Sequence, residues 1–110
     1  MMLSRDLFLG FIKLHILYHA GQEPIYGLWL IGELTEHGYR LSPGTLYPIL
    51  HKMEESGFLA SEQRVVEGKV RRYYVATAAG ECMLTDASEK AVELLSEINP
   101  KRLNHEPADS

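Results

Sequence analysis

Between Phe58 and Ala76 the chain reads as two short strands about one turn, while the rest of its periodicity is helical. Phe58 to Val66 forms the first expected strand and Val70 to Ala76 the second. Glu67-Gly68-Lys69 lies between them as a compact tip, with glycine where a positive φ is needed. On the second strand Arg71 and Tyr73 share one face, and Arg72 and Tyr74 share the other. What such a hairpin can belong to is set by the helices around it.

The first helix is expected from about Ser4 to Ala20, with Ser4 as its cap and Asp6 in its first turn. Leu7, Phe11, Leu14 and Tyr18 fall at helical spacing. Phe8, Ile12, Ile16 and Leu17 widen that stripe until it should be buried on more than one side. Gly21 to Pro24 breaks the helix. The second runs from Ile25 or Tyr26 to His37, with Leu30, Ile31 and Leu34 inward and Gly38 at its left-handed end. A short link leads to a third helix, Ser42 or Thr45 through Ser56. Leu46, Ile49, Leu50 and Met53 point inward there, and Gly57 ends it. Thr77 caps a last helix from Ala78 to about Ile98, which Asn99-Pro100 stops. Along it Leu84, Ala87, Ala91, Leu94 and Ile98 make a heptad-like seam, longer than a small domain needs for its own core. A seam of that kind pairs with another helix, here its copy in a second chain.

Three helices, a hairpin and a final helix make a mainly α winged helix-turn-helix. Residues 1–76 would form the winged domain, 77–99 a dimerisation helix, and 100–110 a polar, disordered tail.

The bulk properties fit one domain. The 110 residues suffice for a single core, and 45% hydrophobic with 24% charged residues is ordinary for a globular protein. No apolar run approaches the roughly 20 residues that span a bilayer. The apolar N-terminus carries Arg5, Asp6 and Lys13 and reads as a helix, not a signal peptide. The single cysteine, Cys82, excludes a disulfide framework, so the expected location is cytoplasmic. The net charge of −4 argues against a polyanionic partner only in total. Residues 1–75 hold equal numbers of acids and bases, and the whole excess of acid falls in residues 76–110.

Catalysis finds no foothold. There is no glycine-rich phosphate loop, nucleophile elbow or HExxH motif, and no cofactor signature. Glu54-Glu55 reads as a solvated face, Cys82 as a small buried residue, and Trp29 as core or interface, or else as a platform for a ligand. Arg64, Lys69, Arg71 and Arg72 surround the hairpin tip, diluted by Glu62 and Glu67. A hairpin of this kind can lie across a phosphate backbone or be an ordinary solvated turn. The third helix sits where a recognition helix would. Its outer side presents Gly44, Tyr47, Pro48, His51, Lys52 and Glu55, with Thr45 flanking at the tip. Thr45 and Tyr47 can hydrogen-bond phosphates or base edges, although Tyr47 could instead pack half-buried on the second strand. Ser42 suits the cap and Pro43 the first position of a helix. Pro48 either removes a bond to Gly44 or, if the helix starts at Thr45, only the first bond. Either start leaves freed N–H groups at a tip suited to a phosphate.

These residues resemble the PadR-like family of transcriptional regulators. The resemblance rests on LSPGTLYPILHKMEESGFL, on RRYYVAT in the hairpin, on IYGLWLIGEL with its Tyr26-Gly27 opening, and on TAAGE after the wing. It covers about residues 5 to 98. It implies a cytoplasmic, dimeric DNA-binding regulator, usually a repressor. The third helix would enter the major groove through Ser42, Pro43, Gly44, Thr45, Tyr47 and Pro48. The wing would contact the backbone or minor groove through Lys69, Arg71 and Arg72. Dimerisation would join the last helix to the first, which brings in Leu7 and Phe11. The single helix after the wing resembles the short-tailed branch. Some of its members hold flat aromatic drugs between aromatic residues at the dimer centre. The last helix here has no aromatic residue, so whether an effector exists, and what it is, stays open.

Two other readings compete with the regulator. One is a winged-helix protein-interaction module without DNA binding. The other is a metal-responsive regulator using His15 and His19, four residues apart on the first helix, with Glu23 as a third donor. The bland alternative for the two histidines is the polar edge of that helix or an interface.

Overall fold

The structure, a computed structural model, describes residues 2–103. The elements in chain order are α1 (Met2–Gln22), β1 (Ile25–Tyr26), α2 (Gly27–Glu36), α3 (Pro43–Glu55), β2 (Leu59–Val66), β3 (Lys69–Ala76), α4 (Ala78–Ile98) and α5 (Pro100–Leu103). The three strands form one antiparallel sheet in the order β1-β3-β2. The fold is a mainly helical winged helix, as the sequence leads one to expect. Among the described residues no helix is long and apolar enough to cross a membrane.

Several boundaries differ from expectation. α1 begins at Met2, so Ser4 and Asp6 lie within it and Ser4 does not cap it. It continues through Gly21 to Gln22 and stops just ahead of Pro24, which has no N–H to offer. Ile25 and Tyr26 do not open α2. They pair with the middle strand, Ile25 opposite Tyr74 and Tyr26 opposite Tyr73. β3 starts one residue early, at Lys69, opposite Val66. That leaves Glu67-Gly68 as a two-residue turn with φ of 53° and 79°, the double left-handed geometry matching the twist of a hairpin. Pro100 stops α4 at Asn99 yet starts the short turn α5 within the stretch expected to be disordered. Residues 104–110 lie outside the described chain.

The core is drawn from every main element except α4, with Ile16, Leu30, Leu34, Leu46 and Leu50 essentially inaccessible. Burial of each such side chain contributes about 1.5–3 kcal/mol. α1 supplies Ile12, Ile16, Leu17 and Ala20. Of the stripe read as primary in the sequence, Leu7, Phe11 and Tyr18 turn outward and, like Phe8, are about half exposed, while Leu14 is partly buried. Within one chain α1 meets α2, β3 and α4, and these cover only part of its circumference. The C-terminal end of α4 is likewise open, leaving Val92, Leu94, Leu95 and Ile98 exposed. At its other end α4 is fastened firmly. Thr77 caps it by accepting a hydrogen bond from the Gly80 N–H at 3.0 Å, and donates to the Gly57 carbonyl at 2.6 Å.

Candidate nucleic-acid interface

The turn into α3 is built from two helix ends. α2 closes on Gly38, whose φ of 91° is the left-handed conformation glycine adopts without cost. The Tyr39 N–H reaches back to the Leu34 carbonyl at 2.9 Å, which is a Schellman closure. Four residues later α3 starts. Ser42 is its cap, accepting from the Thr45 N–H at 3.3 Å, and Pro43 occupies the first helical position. Of the two starts that the sequence left open, the structure has the earlier one. Pro48 therefore lies inside the helix, and the Gly44 carbonyl loses its usual partner.

Leu46 and Leu50 are fully buried on the inner side of α3, with Met53 beside them. Ser42, Pro43, Gly44, Tyr47, Pro48, His51, Lys52 and Glu55 are exposed, and Thr45 is half-buried. The exposed residues divide into three groups around the helix. Gly44, His51 and Glu55 take the outermost line, where the His51 imidazole lies 3.2 Å from the Glu55 carboxylate. Thr45, Pro48 and Lys52 border a groove of about 570 Å³ between α1, α3 and α4. Tyr47 is on the opposite flank. Its ring packs on Gly27, the first residue of α2. A Cβ at position 27 would stand 2.5–2.8 Å from the Tyr47 ring, so the glycine is a seat for the tyrosine.

The hairpin carries its cations in an ordered way. Arg64 and Arg71 are opposite each other in register, an unfavourable arrangement for like charges. Each has an aromatic ring beneath it. The Arg64 guanidinium lies 4.6 Å from the centre of the Tyr73 ring, and that of Arg71 lies 4.4 Å from Tyr26. The two rings meet edge to face at 5.3 Å. Glu62 also accepts from Arg64 Nε at 2.7 Å, so Arg64 is partly neutralised. On the other face Arg72 Nη1 donates to Ser61 Oγ at 2.9 Å, and Ser61 donates to the Glu54 carboxylate at 2.7 Å. That relay ties the hairpin to the end of α3. Glu54 is thus a structural acceptor and not merely solvated. Lys69 stands exposed at the tip.

Residues 16–86 match the transcriptional regulator PadR-like family. The transcriptional regulator Rv3488 of Mycobacterium tuberculosis is 53% identical over 87 residues, which cover 79% of this chain and 81% of that protein. The chain belongs to the PadR-like family of transcriptional regulators. Solved structures agree. A PadR-like transcription factor from Bacteroides fragilis superposes with a TM-score of 0.78 at 27% identity, over 90% of this chain and 97% of that one. A PadR-family regulator from Eggerthella lenta gives 0.75 at 30% identity, over 96% and 92%.

Within this PadR-like regulator some site residues were not legible in the sequence. Tyr26 and Tyr73 support the arginines, and Ser61 and Glu54 anchor Arg72. Tyr26 belongs to a strand of two residues, too short for any period to mark. Two expectations are corrected. Cys82 is exposed, not buried, because the inner side of the first turns of α4 is carried by Gly80 and Leu84. His15 and His19 do gather donors, but the third imidazole is His37 and the carboxylate is Glu33, while Glu23 is exposed elsewhere. Trp29 is 40% exposed and touches His19 edge to face at 5.4 Å.

Proposed function

We propose that this regulator is a sequence-specific DNA-binding repressor acting as a homodimer on operator DNA. The observation that carries the reading is one composite surface. A helix tip capped by Ser42, with small or proline residues around it, is followed by a hairpin that holds cations out on tyrosine rings. In this reading Gly44, Thr45, Tyr47, Pro48, His51 and Lys52 meet the major groove, with Ser42 and Pro43 shaping the tip. Arg64, Lys69, Arg71 and Arg72 hold phosphates. The open apolar faces of α1 and α4 support the dimer. Leu7 and Phe11 lie on one, Leu94 and Ile98 on the other, and Leu84, Ala87 and Ala91 continue the α4 face inward. A twofold pair would set two copies of α3 about 34 Å apart, one helical turn of DNA. Such a protein works where the chromosome is, in the cytoplasm.

A gel-shift titration against the region upstream of its own gene tests the reading. Salt-dependent binding is expected at or below micromolar protein. Arg72→Ala should weaken binding to all sequences and reduce the salt slope of log affinity by about 0.9. Absence of any salt-dependent shift favours the protein-interaction module instead. An unchanged slope with unchanged affinity removes Arg72 from the interface.

A further inference from the structure

Three imidazoles from two helices meet beside α4, away from the α3 face. His15 and His19 stand one turn apart on α1, and His37 caps the C-terminus of α2. Their ligand nitrogens all lie within 4.8 Å of one another. The His15 and His37 rings are 4.5 Å apart. One oxygen of Glu33, Oε2, lies 3.1 Å from His37 Nε2 and 3.4 Å from His19 Nε2. The cluster lines an open cavity of about 580 Å³, walled by Phe11, Tyr18 and Tyr39 from α1 and the turn, and by Leu84 of α4. We propose that His15, His19 and His37, with Glu33 as fourth donor or as the partner that orients them, bind one divalent transition-metal ion, zinc in the first instance.

The chemistry narrows the ion. Three nitrogen donors and one carboxylate suit zinc and its neighbours, whereas calcium and magnesium take oxygen sets. The spacing is near what zinc needs. Zn–N bonds of 2.0–2.1 Å in a tetrahedron place donors roughly 3.3 Å apart, so a closure of roughly 1.5 Å at most, within rotamer adjustment, completes the site. Burial holds the His15 ring below the ordinary imidazole range, and the positive potential of His37 and His19 pushes the same way. A neutral imidazole presents the lone pair that a metal binds. Glu33 already satisfies the usual demand for a carboxylate beside a zinc-bound histidine. An ion here would clip α1 to the end of α2, directly before the turn into α3. Any effect on operator affinity would rest on the DNA-binding reading, but binding of the ion does not.

The test uses the untagged, chelator-treated full chain and no DNA. Cobalt(II) is titrated in and its visible d–d absorption followed, then zinc is used to displace it. The expected result is one ion per chain with the intense bands of a tetrahedral or five-coordinate site. His15→Ala and His37→Ala should each weaken binding at least tenfold, and Glu33→Gln less. His37 is 45% exposed, so its alanine variant should keep the apo circular dichroism spectrum and can decide the matter alone if His15→Ala unfolds. Only weak octahedral absorption, or an affinity unchanged by His37→Ala, overturns the site.

Discussion

Replacing Gly80 by alanine pits helix propensity directly against packing. Gly80 is the third residue of α4 and is buried. A Cβ there would collide with the backbone carbonyl oxygen of Phe58 and stand 3.2 Å from Leu17 Cδ2. The carbonyl cannot retreat. It accepts from the Thr77 N–H at 3.1 Å, while the Phe58 N–H is held by the Met53 carbonyl at 3.0 Å. The helix must move instead, straining the Thr77 cap. Overpacking of this kind costs about 1–3 kcal/mol, and a weakened cap costs up to about 1 more. Alanine returns about 1 kcal/mol in helix propensity. The net is a loss of up to about 3 kcal/mol, at about 4–8 °C of melting temperature per kcal/mol for a domain near this size. The matched control is Gly32→Ala on α2, where a Cβ meets nothing within 4 Å and a gain of about 0.5–1 kcal/mol is expected. Far-UV circular dichroism during thermal unfolding measures both. Protein concentration is held fixed, because association would shift the midpoint. If Gly80→Ala gains as much stability as Gly32→Ala, the fixed-carbonyl reasoning is wrong.

Other perturbations separate the site from the scaffold. Gly27→Ala should displace the Tyr47 ring, lowering stability by about 1 kcal/mol or less because a half-exposed side chain can swing away. In the Tyr47→Ala background the same change should cost nothing, and urea unfolding of the four proteins checks the coupling. Thr77→Ala should cost about 1–2 kcal/mol and Ser42→Ala about 0.5–1 by the same assay, since Thr77 makes a shorter cap bond and also holds the Gly57 carbonyl. Leu94→Asp, at a residue half exposed in the single chain, should leave each subunit folded but convert a dimer to monomers in sedimentation. A persistent dimer would remove the α4 seam from the interface.

The winged architecture was legible because its cues are local. Periods, caps and glycines marked α2, α3, the hairpin and α4 to within a residue or two. α1 shows where such cues stop. Leu7, Phe11 and Tyr18 obey helical spacing as well as Ile12 and Ile16 do, and spacing does not say which side meets a neighbour. Only the placement of α2, β3 and α4 decides that. The same holds for β1, whose two residues take their strand character from β3. At the site, the exposed side of α3 followed from its apolar face. The seat of Tyr47 on Gly27, the tyrosines beneath Arg64 and Arg71, and the meeting of His37 with His15 and His19 join segments distant in sequence, so no spacing rule reveals them.

The tyrosines under the hairpin arginines have a thermodynamic consequence. A free arginine side chain carries about 2 kcal/mol of rotamer entropy, which it surrenders when it grips an anion. Arg64 and Arg71 have given up part of that freedom already, because each guanidinium rests on a ring 4.6 or 4.4 Å away. The cost is borne in folding and not at the moment of contact. Tyr26 and Tyr73 can therefore strengthen binding without touching any partner. Replacing either by leucine, which keeps the charge and much of the bulk, should appear in calorimetry as a less favourable entropy of association.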